Sequence, residues 1–343
     1  MDLQYLLYLQ ENVRNDALTP FMMGFSDFAI SFWLMAAIFC VYWSVDKKSG
    51  YFIIASYCIS SLLNSLVKLS FCIYRPWIRN PNIIPAGNAK MSAGGYSFPS
   101  GHTQSITSGF ASGAILIWIK QKWLSILLFI VIFIVAFSRN YLGVHTPQDV
   151  VVGFLLGLLS VFWAYKLQNR VNKDRKSDIK LLIYCIITGI VSILYFTYKN
   201  YPILIDAEGK LVVDPQRMMK DGFLGAGLWI GFILGWFIEK YYINFSTNCS
   251  IKTKIIRAVC GVGSLYLFNN IIIRELFYFP ALPCLTKFVQ WFLLIFYVMV
   301  IYPLIFKYVE NLISFERKQI DKNQMDKNQI DKDRMDKNQI EES

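Results

Sequence analysis

The sequence predicts an all-α polytopic membrane protein, a helical bundle of about nine transmembrane helices. Hydrophobic residues make up 55% of the 343 residues and aromatic residues 16%, and the mean hydropathy is +0.41. These residues form long uninterrupted apolar runs, many close to the ~20 residues that a helix needs to cross a bilayer. Composition and run length together therefore predict the fold class.

Nine runs have the length and composition of membrane spans. They lie at about 27–45, 51–72, 103–119, 123–138, 148–166, 180–198, 222–243, 255–273 and 285–306. Seven or eight spans are also compatible with the pattern. The preceding segment, residues 1–24, is amphipathic and carries acidic residues where a signal peptide has its basic start, so no cleaved targeting peptide is expected.

The net charge of +11 is spread over the loops between the runs, so a nucleic acid is not an expected partner. The loop 165–180 contains six Lys or Arg residues, which indicates a cytoplasmic location. The loops at 46–50, 120–122 and 251–257 agree with it by parity, which places the N-terminus outside and the C-terminus inside. Richness in Lys, Asn and Ile suggests an AT-rich bacterial genome, hence a plasma membrane.

The chain divides into four predicted regions: the amphipathic segment 1–24, a core of about five helices at 25–170, four further helices of unknown role at 171–314, and a charged tail at 315–343. The tail repeats a five-residue pattern of the type Q-I/M-D-K-N. A period of five scatters Ile and Met around a helix, so we expect a solvated, disordered cytoplasmic appendage.

Chemically distinctive side chains collect at one end of the predicted bundle. An up-and-down path brings the end of span two, the start of span three, the end of span four and the start of span five to the same, extracytoplasmic side. In chain order, the side chains there are Lys68, Arg75, His102, Arg139, His145 and Asp149.

Lys68 is a charged residue in an otherwise apolar run, a placement that is costly and usually functional. Its long stem could instead extend to the interface. Arg75 follows at i+7 on the same helical face, and Pro76 favours a chain that turns into a loop there. Two cations therefore converge where a phosphate dianion could be held.

The stretch "FPSGHTQS" predicts a helix start, with Ser100 as N-cap and Gly101 and His102 in the first turn. Capping alone accounts for Ser100. The same geometry offers free N–H groups to phosphate oxygens, and Gly101 allows a ligand to approach closely.

The stretch "RNYLGVHTPQD" predicts another helix start, in which Thr146 and Asp149 can form a capping box. Asp149 also lies four residues after His145 and could accept a hydrogen bond that fixes the tautomer of the imidazole. Gly143 suits a tight turn that brings Arg139 beside this histidine.

No metal or other cofactor is expected. Asp149 is the only acidic residue between Lys47 and Lys173, whereas a metal-dependent phosphatase needs several carboxylates or histidines. The seven cysteines lack paired spacing, so neither a zinc site nor a disulfide framework is indicated. Four acidic residues at 198–221 leave a peripheral cation open, although solvation of that loop is the preferred interpretation.

Three motifs together resemble the signature of the type 2 phosphatidic acid phosphatase family, within the acid phosphatase–vanadium haloperoxidase superfamily. "KLSFCIYRP" (68–76) matches Lys, six residues, Arg-Pro, and "PSGH" (99–102) matches unchanged. "SRNYLGVHTPQD" (138–149) matches Ser-Arg, five residues, His, three residues, Asp. The resemblance covers roughly residues 25–170 and implies a phosphatidic acid phosphatase type 2-like helical core.

The resemblance also implies a role for each matched residue. His145 would attack phosphorus to form a phosphohistidine, Asp149 would orient it, and His102 would protonate the leaving group and later deprotonate water. The implied phosphate-binding residues are Lys68, Arg75, Ser100, Gly101 and Arg139.

The favoured function is a metal-independent membrane phosphatase that hydrolyses a phosphate monoester or diphosphate, with a lipid substrate favoured by the position of the site near the interface. A phosphotransferase that passes the phosphoryl group to a lipid or sugar is the alternative. A lipid transporter or scaffold without catalysis is a third reading, against which the intact signature argues. The identity of the substrate and the oligomeric state stay open.

Glycines at four-residue spacing predict close helix contacts. They are Gly153 and Gly157 in span five, and Gly227, Gly231 and Gly235 in span seven. Packing within the chain is the preferred interpretation, and a dimer interface is the alternative.

Overall fold

The computed structural model describes residues 2–170, 174–316, 319–320 and 324–325. Within these ranges the chain forms twelve α-helices and no strand. The helices are α1 (Asp2–Asn12), α2 (Leu18–Phe28), α3 (Phe32–Cys40), α4 (Lys47–Phe71), α5 (Pro76–Arg79), α6 (Gly101–Ile117), α7 (Lys122–Tyr141), α8 (Pro147–Arg170), α9 (Arg175–Tyr198), α10 (Pro215–Ile238), α11 (Ile251–Leu267) and α12 (Pro283–Phe296).

Four of these helices continue directly into π-helical turns. The turns are Val41–Val45 after α3, Glu239–Ile243 after α10, Phe268–Leu276 after α11 and Tyr297–Ile301 after α12. Beyond the last of them the chain stays helical to Glu316, so that Pro283–Glu316 forms one apolar stretch. Apart from its first residues, the predicted tail at 315–343 lies almost entirely outside the described residues.

All nine predicted spans fall on helices, which confirms the all-α polytopic membrane fold, but the count of nine is not confirmed. In the described part of the chain six helical stretches are long and apolar enough to cross a membrane. They are Lys47–Arg79, Lys122–Tyr141, Pro147–Arg170, Arg175–Tyr198, Pro215–Ile243 and Pro283–Glu316. The pair α2 and α3, bent by 45°, makes a seventh if it is counted as one span.

Helix α6 is not among these stretches because it has only 17 residues. Many of its side chains are polar, and they face the interior of the bundle. The side chain of Gln104 accepts a hydrogen bond from Asn64 (2.7 Å) and donates one to the carbonyl of Ser60 (2.9 Å) on α4. Thr103 and Thr107 are also fully buried. Polar side chains are used here for contacts between helices.

The predicted glycine contacts are made within the chain. A Cβ at Gly153 would lie 2.7 Å from the carbonyl oxygen of Ser100, and a Cβ at Gly157 would lie 2.6 Å from Cβ of Thr107. These glycines therefore let α8 approach the start of α6. In the same way, Gly227, Gly231 and Gly235 bring α10 against α12 and the turn that follows it.

Helix α4 joins the two halves of the bundle. It packs against α6 and α8 on one side and against α10 on another, while α10 in turn contacts α9 and α12. The N-terminal helices are held at one end, where Arg14 donates hydrogen bonds to the carbonyls of Ile84 (2.6 Å) and Tyr141 (3.0 Å). Both acceptors lie at the end of the bundle that carries the motif loops.

Gly231→Ala is expected to destabilise the protein. The added Cβ would lie 2.6 Å from Cγ2 of Ile295 and 2.8 Å from the carbonyl oxygen of Phe292, so α10 and α12 must separate. Such overpacking costs about 1–3 kcal/mol. Gly263→Ala is the matched control, since its Cβ would meet nothing within 4 Å. Thermal unfolding in detergent should show a lower midpoint for the first variant only, and an equal loss in both would contradict the prediction.

Candidate active site

The predicted site residues meet at one end of the bundle, where α4 and α7 end and α6 and α8 begin. Five of them interact electrostatically with one another or with a shared neighbour: Lys68, Arg75, Arg139, His145 and Asp149. Each of their side chains is at most 9% exposed. A cluster of ionisable groups is thus enclosed at the end of an apolar bundle.

The tautomer of His145 follows from its two partners. Nη1 of Arg75 lies 2.8 Å from Nε2 of His145. A guanidinium has donors only, so Nε2 must carry the lone pair and Nδ1 the proton. Nδ1 lies 3.3 Å from Oδ2 of Asp149, which accepts that proton's hydrogen bond. The carboxylate therefore orients the ring, and Nε2 keeps the lone pair.

Asp149 serves as helix cap and as partner of His145 with the same oxygen. Its Oδ2 accepts hydrogen bonds from the hydroxyl of Ser97 (2.5 Å) and from the backbone N–H of Thr146 (2.8 Å). Its backbone N–H faces Oγ1 of Thr146 at 3.4 Å, which completes the predicted capping box. These hydrogen bonds satisfy the carboxylate in its buried position.

His145 lies in the loop between α7 and α8, outside the spans. Burial lowers the pKa of His145 well below its ordinary value, and the positive charges of Arg75, Arg139 and Lys68 lower this pKa further. The imidazole is therefore neutral near pH 7. A neutral imidazole keeps a lone pair on Nε2, which here accepts the hydrogen bond from Arg75.

Arg75 is held by backbone carbonyls of two loops. Nη1 donates to the carbonyl of Val144 (2.9 Å), Nε to that of Gly95 (3.3 Å) and Nη2 to that of Gly94 (3.3 Å). Gly95 has a φ of +76°, a conformation that glycine adopts without strain. These contacts fix the guanidinium beside His145 without neutralising its charge.

Arg139 carries donors that the protein itself does not use. Nη1 donates to the hydroxyl of Ser26, whereas Nε and Nη2 are buried and have no hydrogen-bond partner among the described residues. Its carbonyl accepts from the backbone N–H of His145 (3.2 Å). The tight turn between them contains Gly143 with a φ of +72°, as expected.

The start of α6 faces Lys68. A Cβ at Gly101 would lie 3.8 Å from Nζ of Lys68, which places the ammonium beside the helix N-terminus. Ser100 caps the helix by accepting from the N–H of Thr103 (3.4 Å), and its own hydroxyl proton stays available to another acceptor. A cation beside the positive end of a helix is unfavourable unless an anion lies between them.

His102 follows in the first turn of α6. It is 8% exposed, and its Nε2 has no hydrogen-bond partner among the described residues. It is within electrostatic range of Arg139 and His145.

The cluster carries excess positive charge. Three cations are buried here: Lys68, Arg75 and Arg139. The carboxylate of Asp149 accepts a hydrogen bond within the cluster from Nδ1 of His145. Two further acids lie within electrostatic range: Asp221 near Lys68 and Arg75, and Asp27 near Arg139. Unpaired buried cations are costly, so the geometry favours binding of an anion with several acceptor oxygens. Phosphate fits this requirement.

The described residues contain no group of three or more His, Cys, Asp or Glu side chains placed to hold a metal ion. Metal independence stays a prediction.

Several contributing residues were missed by the sequence analysis. Ser97 donates a hydrogen bond to Asp149, and Asn140 donates to the carbonyl of His145 (2.9 Å).

Two residues at the start of α10 also contact this region. Met218 packs against Gly95, and Nη2 of Arg217 would lie 3.4 Å from a Cβ at Gly94. The adjacent glycines of "AGGYS" were a signal for a close approach, but nothing local distinguishes Ser97.

Two family matches cover separate parts of the chain. Residues 49–173 match the PAP2 superfamily, and residues 223–312 match the transmembrane extension of PAP2 superfamily phosphatases. The second match covers most of α10 together with α11 and α12, three of the four helices of unassigned role, and it begins after α9. The comparison with solved structures gave no match.

Characterised proteins with similar sequences include an undecaprenyl-diphosphatase of Sulfolobus acidocaldarius, 28% identical over 138 residues, which cover 40% of this chain and 64% of the relative. A lipid A 4'-phosphatase of Bacteroides thetaiotaomicron is 36% identical over 86 residues, or 24% of this chain and 37% of the relative. One from Porphyromonas gingivalis is 26% identical over 180 residues, 48% of this chain and 75% of the relative. The chain thus spans less than two thirds of the first two relatives.

Ser97→Ala is expected to lower kcat/KM for release of phosphate from a soluble aryl phosphate by about 10- to 100-fold. A hydrogen bond to a charged group is worth about 1.5–3 kcal/mol, and about 1.4 kcal/mol corresponds to a factor of ten. Ser112→Ala is the control, because that buried hydroxyl bonds only to carbonyls of its own helix. Equal rates in Ser97→Ala and the unaltered protein would show that this hydroxyl does not position Asp149.

Proposed function

The chain belongs to the PAP2 superfamily, and we propose that it is an integral membrane phosphatase that hydrolyses a phosphate monoester or a diphosphate carried by a lipid. One observation carries this proposal. Three cations, Lys68, Arg75 and Arg139, are buried around a neutral histidine, and N–H groups of Arg139 have no partner among the described residues. A bound phosphoryl group would supply the missing acceptors.

Substrate binding would also release the nucleophile. In the free protein Arg75 donates to Nε2 of His145 and so engages the lone pair that must attack. A phosphate oxygen is a stronger acceptor than an imidazole nitrogen. Arg75 would therefore turn its donor toward the substrate, and the lone pair would become available only when a phosphoryl group is in place.

In the first chemical step, Nε2 of His145 attacks phosphorus while the bond from phosphorus to the leaving oxygen breaks. The imidazole becomes positively charged, and Asp149 stabilises it through the hydrogen bond from Nδ1. Burial and the neighbouring cations lower the pKa of His102 in the free protein. The negative charge of the bound phosphate offsets those cations, so on this proposal His102 takes up a proton with the substrate and gives it to the leaving oxygen. Lys68, Arg75 and Arg139 stabilise the equatorial oxygens, as positioned cations do in phosphoryl transfer.

In the second step, water attacks the phosphohistidine. His102 takes a proton from that water, the bond between nitrogen and phosphorus breaks, and inorganic phosphate leaves with its new oxygen. His145 returns to its neutral form and His102 to its protonated form. The two histidines thus have different chemistry in both steps.

The substrate class follows from where the site lies and from what the similar proteins act on. The names of the relatives give undecaprenyl diphosphate and the 4'-phosphate of lipid A as the groups that they act on. The site here lies where α4 and α7 end, close to the predicted membrane interface. We therefore infer a lipid phosphate at the extracytoplasmic face of a bacterial plasma membrane.

Phosphate release is expected to survive an excess of chelator. The protein's own cations take the place that metal ions occupy in metal-dependent phosphatases, and Asp149 is the only acidic residue between Lys47 and Lys173. Activity should be measured with and without EDTA after dialysis against it. Inhibition that added Mg²⁺ reverses would overturn the proposed mechanism.

The two histidine variants should differ in the phosphoenzyme that they form. His145→Ala removes the nucleophile, so no phosphoenzyme is expected with any substrate. His102→Ala removes the proton donor and base, so an aryl phosphate, whose leaving group needs no proton, should still give a phosphoenzyme, and that intermediate should decay slowly. Rapid quenching into alkali followed by mass mapping measures it.

Each histidine variant is the control for the other, since both remove one imidazole from the same cluster. Thermal unfolding should show that both remain folded. Phosphate mapped to His102 or to Ser100 would contradict the assigned roles, as would a phosphoenzyme in His145→Ala.

A further inference from the structure

A groove of about 530 Å³ lies between α8 and α9, with α4 as its floor. Its walls are apolar and include Leu62 and Leu66 of α4, Leu159 and Trp163 of α8, and Tyr184 of α9. The side chains of Trp163 and Tyr184 are 54% and 67% exposed, so the groove opens to the outside of the bundle. It lies within spanning helices, where the surroundings are lipid chains.

One end of the groove is basic. Lys166 and Arg170 at the end of α8 line it, and a second cavity of about 500 Å³ continues past Arg170 to Lys180 of α9. Lys166 lies over the ring of Phe162 at 5.4 Å. Among the described residues, these three cations form no salt bridge within 4.0 Å.

Two acidic side chains lie near this basic end. Asp174 caps α9 through Ser177 and is within electrostatic range of Lys180. Asp178 is fully buried and accepts hydrogen bonds from Lys240 and Tyr241. Asp174 therefore offsets part of the charge of Lys180, while Asp178 is engaged elsewhere. The balance at the mouth of the groove stays positive.

The depth of the groove corresponds to one leaflet. Leu159 and Arg170 are eleven positions apart on α8, or about 16 Å at 1.5 Å per residue. The hydrocarbon core of a bilayer is about 30 Å thick, so one leaflet contributes about 15 Å. A lipid with its headgroup at Arg170 would place its chain along the whole apolar wall.

This groove is separate from the catalytic cluster. Asp149 and Arg170 stand near opposite ends of α8, about 31 Å apart at 1.5 Å per residue. On α4, Asn64 and Lys68 face α6, whereas Leu62 and Leu66 point to the other side of the helix and line the groove. The substrate's phosphate therefore cannot occupy both places.

We propose that this groove binds an anionic phospholipid of the leaflet opposite the catalytic site, with its phosphate between Lys166, Arg170 and Lys180 and an acyl chain against α4. A phosphodiester accepts hydrogen bonds from Arg and Lys, and basic residues near a membrane surface attract anionic lipids. The ammonium of a zwitterionic headgroup would be repelled by the same cations. Because α8 and α9 make few direct contacts, such a lipid fills the space between them and stabilises their arrangement.

The first test compares two lipids on the full chain in detergent. Phosphatidylglycerol and phosphatidylcholine with identical acyl chains are added, and the midpoint of thermal unfolding is measured. Phosphatidylglycerol should raise the midpoint by several degrees more than phosphatidylcholine. This difference should disappear in the double variant Arg170→Gln/Lys180→Gln, and inorganic phosphate alone should not reproduce it, since it lacks the chain.

The matched control is Lys120→Gln/Lys122→Gln, which removes the same charge from another loop on the same predicted side. It should keep the preference for phosphatidylglycerol. Equal stabilisation of the unaltered protein by both lipids would overturn the proposal, as would an equal loss of preference in both double variants.

A second measurement tests the proposed lipid site on the unaltered protein, in case Arg170→Gln/Lys180→Gln does not fold. Phosphatidylglycerol with a photoreactive acyl chain is bound to the unaltered protein and cross-linked. Peptides from α8 and α9 that line the groove, around Leu159 and Tyr184, should carry the label, and unlabelled phosphatidylglycerol should compete with it. Labelling spread evenly over the lipid-facing helices, including the region of Leu127 on α7, would contradict the proposed lipid site.

Discussion

The structure depends on positive charge held inside the end of an apolar bundle. Lys68, Arg75 and Arg139 are each at most 9% exposed, and a single carboxylate, Asp149, bonds within their cluster. Burying such charge is tolerable only with close acceptors, which here are backbone carbonyls and, on our proposal, the substrate. Burial and the same positive charges lower the pKa of His145 and keep it neutral. On our proposal these charges also attract the phosphoryl group that His145 attacks, so that one arrangement accounts for both the neutral histidine and the binding of phosphate.

The second half of the chain takes part in this arrangement. Helix α10 packs on α4, and Met218 in its first turns presses against Gly95, whose carbonyl accepts a hydrogen bond from Arg75. Arg217 lies against Gly94 in the same way. The start of α10 thus supports the loop whose carbonyls hold the guanidinium of Arg75. A fold made of the first half alone would leave that loop without its packing partner.

The two ends of the bundle have different chemistry. At one end the ends of α4 and α7 and the starts of α6 and α8 enclose His145 among cations, away from water. At the other, α8 and α9 diverge, and Arg170 and Lys180 stand at the mouth of an apolar groove. Helices α4 and α8 reach both ends, so a lipid bound between α8 and α9 would contact the same helices that carry Lys68 and Asp149.

Local pattern by itself determined the membrane class, the caps at Ser100 and Thr146, and the identity of the catalytic candidates, because each depends on composition or on residues a few positions apart. Contacts between distant segments decided the rest. Arg75, which selects the tautomer of His145, precedes it by 70 positions in the chain. Ser97, which donates a hydrogen bond to Asp149, precedes it by 52 positions. The count of nine spans is not confirmed. The polar residues of α6, for example, are satisfied by α4, and a hydropathy pattern holds no information about which neighbour a side chain will face.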